Sequence, residues 1–256
     1  MSEAGAAPRL APEQLKALRS ALEGSDSVEL KLTVPDGDQR SAVRALDLDP
    51  LEAELRQVFF FDTPDLMLNQ RGVILRARRT RGGDDSVVKL RPVVPSQVSA
   101  DLRSLKGFGV EVDAMPGGFV CSARLQSKLR AGKVKEAVSG GRRLRSLFDK
   151  RQRAFLAQCA PDGVAVDELS ILGPITVLKL KFSPDDYDGK LVAELWMYPD
   201  GSRILELSTK AATSDAFDVA TRTRAFLEQR GVDLTGEQQT KTKTALEFFS
   251  AELLGA

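Results

Sequence analysis

The stretch that most constrains the fold runs from Phe59 to Arg78. Phe59-Phe60-Phe61 reads as a strand and Asp62-Thr63-Pro64-Asp65 as the turn that ends it. After Leu66 and Leu68, Gly72-Val73-Ile74-Leu75-Arg76-Ala77-Arg78 reads as a second strand. Side chains alternate across a strand, so Arg76 and Arg78 share one face while Leu75 and Ala77 share the other. Two guanidiniums side by side repel each other unless an anion or a carboxylate lies between them. The same spacing returns at Lys89 and Arg91, and again at Arg151 and Arg153. Several strands lined with cations point to a polyanion.

Composition narrows the classes. A chain of 256 residues can bury a large core, and 37 Lys plus Arg against 36 Asp plus Glu leave a net charge of only +1. A broad basic surface for nucleic acid would carry a larger excess, so DNA is not the expected partner and the cations read as locally concentrated and balanced by acid elsewhere. Histidine is absent, which removes Ser-His-Asp and Cys-His catalysis and imidazole-based zinc sites. Cys121 and Cys159 fit neither a metal spacing nor a disulfide framework and suit a reducing cytoplasm. No signal layout opens the chain and no stretch is apolar enough for a bilayer, so a cytoplasmic protein off the membrane is expected. The oligomeric state stays open, a homodimer among the options.

Along the chain, residues 1–24 read as a disordered tail of ten residues and a short helix over Pro12–Leu22, with Leu15, Leu18 and Leu22 at helical spacing. Residues 25–256 read as one domain. Strands are expected at 27–32, 57–62, 73–80, 86–91, 147–157, 163–168, 175–182, 190–198 and 203–210. Tyr198-Pro199-Asp200-Gly201 joins the last two as a hairpin. Pro, Gly and Ser clusters over 93–147, with a helical pattern at 122–138, read as an insertion or a lid. Two helices close the chain from about 214, at 214–230 and 239–253. The strand count favours an α+β fold: one antiparallel, barrel-like domain with peripheral and C-terminal helices.

Asp62-Thr63-Pro64-Asp65 followed by Leu75-Arg76-Ala77-Arg78 resembles the signature strand pair of the CYTH superfamily, the triphosphate tunnel enzymes. That group includes class IV adenylyl cyclases, thiamine triphosphatases and inorganic triphosphatases. Lys89 resembles the next strand lysine, and Arg151-Gln152-Arg153-Ala154-Phe155 is similar to a later basic strand of the family. The resemblance implies a closed antiparallel β-barrel of about eight strands with a polar interior that holds a triphosphate or polyphosphate. It further implies Mg²⁺ or Mn²⁺ on carboxylates and hydrolysis of the triphosphate. Non-catalytic binding of polyphosphate or nucleotides, and a class IV cyclase activity, are the alternatives.

On that resemblance Glu29 and Lys31 are the catalytic candidates. Lys31, Arg76, Arg78, Lys89, Arg91, Arg151, Arg153 and Lys210 are the phosphate ligands. Glu29, Glu206, Glu194 and Asp167 are the metal ligands. Arg forks match phosphate oxygens, and hard cations take oxygen ligands, which suits a chain without histidine. The chain departs from the family twice. Ser27 stands where the opening Glu-x-Glu-x-Lys motif has its first carboxylate, and Ser208 stands where the late Glu-x-Glu has its second.

Overall fold

The computed structural model describes residues 11–234, 238 and 241–255. The reading of residues 1–10 as a tail therefore falls outside the described residues, as do the first two positions of the expected helix 239–253. Nine strands form the frame: β1 (Ser27–Val34), β2 (Glu54–Asp62), β3 (Val73–Thr80), β4 (Gly83–Leu90), β5 (Phe108–Met115), β6 (Gly118–Leu129), β7 (Ser170–Phe182), β8 (Leu191–Met197) and β9 (Arg203–Ala211). They close into a barrel in the order β1-β5-β6-β4-β3-β2-β7-β8-β9. The α-helices among the described residues are α1 (Pro12–Glu23), α2 (Gln39–Ala45), α3 (Met67–Gln70), α4 (Ala100–Arg103), α5 (Lys133–Val138), α6 (Lys150–Cys159), α7 (Ala216–Gln229) and α8 (Lys241–Leu254).

The α+β barrel expected from the sequence is present, but it is not wholly antiparallel. Nine is odd, so strand directions that alternate around a ring cannot return to themselves. One neighbouring pair must run parallel, and it is β1 with β5, which sets Ser27 opposite Glu111 and Glu29 opposite Asp113. The expected β2–β3 strand pair is present, and its register sets Phe60 opposite Arg76. Asp62 is the device that turns this corner. Its buried carboxylate accepts hydrogen bonds from the backbone N–H groups of Thr63, Leu68 and Asn69, which folds the start of α3 against the strand end.

Three readings of the middle of the chain are corrected. The segment 93–147 is no insertion, because β5 and β6 lie within it and complete the barrel wall. Residues 122–129 are strand, and only Lys133–Val138 is helical in the expected 122–138 helix. The strand expected at 147–157 is the helix α6, and 163–168 carries only a 3-10 turn at Val166–Glu168. The reason for α6 is a reciprocal cap. Asp149 accepts from the Gln152 N–H at 2.9 Å, while Gln152 Oε1 accepts from the Asp149 N–H at 3.0 Å. The Gln152 amide is fully buried and donates to the carbonyls of Ser86 and Leu125, which pins the helix to the outside of β4 and β6.

Alternation along the strands sorts apolar from charged residues. Phe59, Phe61, Leu75, Ala77, Val88, Ala123 and Leu125 face outward and pack against α5 and α6. Leu32, Val34, Ala193, Leu205 and Leu207 pack against α2 and α7, and Val28, Val112 and Cys121 against α1. A further cluster fills one end of the barrel interior. Val58, Phe60, Ile74, Ile175, Val177, Trp196 and Ile204 enclose Ala245, Leu246 and Phe249 of α8, so the C-terminal helix plugs that mouth. No helix among the described residues is long and apolar enough to cross a membrane.

Candidate functional site

Beyond the apolar plug, the same inward face carries charge. Lys89 on β4 meets Asp113 on β5 across the intervening β6, at 2.9 Å. Lys210 on β9 meets Glu111 on β5 across β1, at 2.5 Å. Contacts that skip a strand fix these side chains on the concave side of the wall.

Two carboxylate centres organise the interior. Around Asp113, which is 2 % exposed, Lys31 Nζ lies 2.8 Å away and also reaches Glu29 at 3.1 Å. Burial pulls the Lys31 ammonium down, yet Asp113, Glu29 and Glu206 more than reverse this and hold it above the ordinary lysine value. Lys31 is therefore a permanent charge and no general base. Burial likewise pushes Asp113 up, but Lys31 and Lys89 bring it well below the usual carboxylate range. Around Glu194, Lys179 lies at 2.8 Å and Lys241 at 2.5 Å, and Lys241 also bridges to Glu206 at 2.8 Å. The two lysines outweigh burial and hold Glu194 far below its usual range. Glu111 takes Arg124 at 2.9 Å as well as Lys210.

The arginines divide into paired and unpaired. Arg78 makes a fork to Asp85, with Nε at 3.0 and 3.1 Å from the two carboxylate oxygens and Nη2 at 2.9 Å. Arg56 is paired with Glu54. Arg76 has no carboxylate within ion-pair reach among the described residues, and its Nε is buried without a hydrogen-bond partner. Burial and the neighbouring Arg78 charge lower its pKa from 12.5 to about 10. Arg91 is also unpaired among the described residues, and burial lowers it against the distant pull of Asp113. Every inward carboxylate named here is matched, and two arginines are left over. Among the described residues the interior thus carries an uncompensated positive charge.

Not every residue expected at the site is brought there. Arg151 and Arg153 sit on α6, outside the wall, where helical geometry also parts them onto different faces. Arg151 donates to the Lys106 carbonyl and pairs with Asp149 at 2.7 Å, and Arg153 donates to the Phe148 carbonyl. Asp167 lies on the 3-10 turn and accepts from the Arg145 N–H at 2.9 Å, with the Arg145 guanidinium at 3.3 Å. Glu29, Lys31, Arg76, Arg78, Lys89, Glu194, Glu206 and Lys210 do converge on the interior, and Arg91 continues the inward alternation of β4.

Sequence reasoning missed Glu111, Asp113, Arg124 and Lys241 as interior groups, and Lys179, which the sequence leaves open between a tunnel cation and a defended edge strand, is inside on Glu194. Gly109-Val110-Glu111-Val112-Asp113 alternates apolar and acidic as a half-buried strand should, and Met115-Pro116-Gly117-Gly118 is a turn. Those signals were legible beneath the Pro and Gly clusters. The register shows what they do: Glu111 stands beside Ser27, and Asp113 beside Glu29. The carboxylate that Ser27 lacks is supplied by the next strand.

The inward carboxylates do not fit a divalent ion as they are arranged. Each is within ion-pair distance of a Lys or Arg, and no three Asp, Glu, Cys or His side chains gather as a metal cluster among the described residues. Mg²⁺ takes near-octahedral oxygen ligands, and here the oxygens are held by ammonium and guanidinium groups.

No protein-family model matches the chain, and no curated protein matches it. Solved structures do. HpAC1 of Hippeastrum, an adenylyl cyclase candidate with a dominant triphosphatase activity, matches with a TM-score of 0.64 at 18% identity, over 86% of this chain and 95% of its own. An adenylate cyclase candidate from Bacillus halodurans matches with a TM-score of 0.59 at 13% identity, over 86% of this chain and 97% of its own.

Proposed function

We propose that this chain, which has the closed-barrel fold of the triphosphate tunnel (CYTH) superfamily, uses the barrel interior to grip a short linear polyphosphate or the triphosphate end of a small molecule. The observation that carries this reading is Arg76: a guanidinium in the tunnel with a buried, unpartnered Nε and a second arginine beside it. A buried charge without a partner is costly, and a phosphate oxygen supplies the missing charge and acceptor together. Arg76 and Arg91 are two interior cations without a carboxylate partner among the described residues, so an anion with several charges has more than one group to meet. A single phosphate would satisfy only one of them.

Calorimetry with tripolyphosphate and orthophosphate at low and high salt tests the reading. The expected result is much tighter binding of tripolyphosphate, weakened by salt because charge attraction is screened over ~8 Å at physiological ionic strength. Equal affinity for the two anions rejects it.

Turnover is the second reading, favoured by the triphosphatase activity of the Hippeastrum neighbour. Glu29 is the carboxylate to examine, since among the described residues its only ion pair is with Lys31, and its side chain is 28% exposed. In this reading Glu29 orients or deprotonates a water while the arginines and Lys31 stabilise charge on the phosphoryl group. The Mg²⁺ or Mn²⁺ implied by the motif resemblance enters no step here. Phosphate release from tripolyphosphate, thiamine triphosphate and ATP, with and without each metal, separates hydrolysis from binding alone. A cyclase would instead release pyrophosphate from ATP in the same panel.

A further inference from the structure

Lys241 is the first residue of α8, and it enters the tunnel from the plugged end. Its Nζ lies 2.5 Å from Glu194 Oε2 and 2.8 Å from Glu206 Oε1. These glutamates face each other across β8 and β9, directly in register. The ammonium also sits over the Trp196 ring, 4.9 Å from its centroid. An ammonium has three donors, and here two carboxylates and an aromatic face receive them. The side chain is only 12% exposed, against 15% for Glu194 and 8% for Glu206.

We propose that Lys241 is a built-in cation that closes the Glu194–Glu206 pair to divalent metal, occupying the position between the two carboxylates that such an ion would take. Charge counting supports this. Glu194 and Glu206 are balanced by Lys179 and Lys241, so a divalent ion added to the intact cluster would leave two uncompensated charges in a half-buried site. The ion could enter only by expelling the lysine. The lysine is tethered, since Ala245, Leu246 and Phe249 of the same helix are buried in the apolar plug. Tyr198 also donates a hydrogen bond to the Lys241 carbonyl at 3.0 Å. A tethered cation acts at an effective concentration that free metal must exceed. The inference concerns this carboxylate pair alone and stands apart from whether the tunnel takes a triphosphate.

The test is Mn²⁺ binding without any phosphate present, by calorimetry and by the loss of the free-ion electron paramagnetic resonance signal. Wild type, Glu206→Gln, Lys241→Met and the double variant Lys241→Met/Glu206→Gln are compared. Lys241→Met should gain one Mn²⁺ site at least tenfold tighter than any in wild type, and adding Glu206→Gln should remove it. In wild type, Glu206→Gln should leave the Mn²⁺ isotherm unchanged. The proposal is overturned if Lys241→Met folds, by circular dichroism and melting, yet gains no site. It is equally overturned if wild type binds Mn²⁺ at a site that Glu206→Gln abolishes. That comparison needs no Lys241 variant, so it decides the question even if Lys241→Met fails to fold. A wild-type site insensitive to Glu206→Gln lies elsewhere and agrees with a closed pair.

Discussion

Arg76→Met should make the empty protein more stable and its grip on tripolyphosphate weaker. The guanidinium pKa falls from 12.5 to about 10, through burial first and the Arg78 charge second. Each tenfold change in proton affinity is worth ~1.4 kcal/mol, so holding this charge costs the empty fold up to about 3 kcal/mol. Water in the tunnel screens part of that, and roughly 1–2 kcal/mol is a reasonable share to recover. The sign is set by the depressed folded pKa of a cation: the penalty is present at every pH below about 10 and fades only above that, so it applies in full at neutral pH. For a domain of this size the gain corresponds to a melting temperature higher by about 2–8 °C. Losing one charge-assisted phosphate contact should weaken tripolyphosphate binding by ~1.5–3 kcal/mol, or roughly 10- to 150-fold. Differential scanning calorimetry in a phosphate-free buffer and titration calorimetry read the two effects. Arg78→Met is the control with the opposite sign, because it strands Asp85, which now receives three guanidinium contacts. If Arg76→Met lowers the melting temperature as Arg78→Met does and leaves affinity unchanged, Arg76 is an ordinary structural cation and the reasoning fails.

Arg151→Ala and Arg153→Ala should leave tripolyphosphate affinity within about twofold of wild type, because both residues lie outside the barrel on α6, whereas Arg91→Met should cost about tenfold or more. Equal losses in all three, measured by calorimetry, would return Arg151 and Arg153 to the site. Acid should weaken the fold through Asp113, whose pKa is raised by burial but lowered further by Lys31 and Lys89. A depressed carboxylate stabilises above its unfolded pKa of 3.8 and loses that as pH falls through the folded value, so Asp113→Asn should melt well below wild type at pH 7, with the gap narrowing from about pH 4 to pH 2. A gap that stays constant on acidification would mean that the Asp113 ion pairs carry no net stability.

The barrel was legible where alternation was unbroken and turns were marked. The Phe59–Arg78 hairpin combines an apolar outward face, cations inward and an Asp that caps its own corner, and each signal names the same structure. At 147–157, two arginines two positions apart looked like a strand face, but Asp149 and Gln152 form a helix cap at the same place. The local cap wins because it also buries the Gln152 amide against Ser86 and Leu125. The strand that carries Glu111 and Asp113 was legible in its alternation, but its neighbours were not. Strand pairing is non-local, so nothing in the sequence alone says that β5 will lie parallel to β1 and set these acids beside Ser27 and Glu29. Lys241 is further removed still, since its place depends on how α8 enters the barrel.

An interior this charged folds because the apolar burial is elsewhere. The outward faces of the strands pack against α1, α2, α5, α6 and α7, and the plug of Phe60, Trp196 and Phe249 closes one end. The wall is thus stable without a packed centre, and the inward face is released for ions. The ions are then matched pair by pair until Arg76 and Arg91 remain. Had stability been the sole constraint, an apolar residue at position 76 would remove a buried, unpartnered donor at no loss to the outer clusters. A cation kept there at a cost to the empty fold is what the proposed grip on a polyphosphate would require.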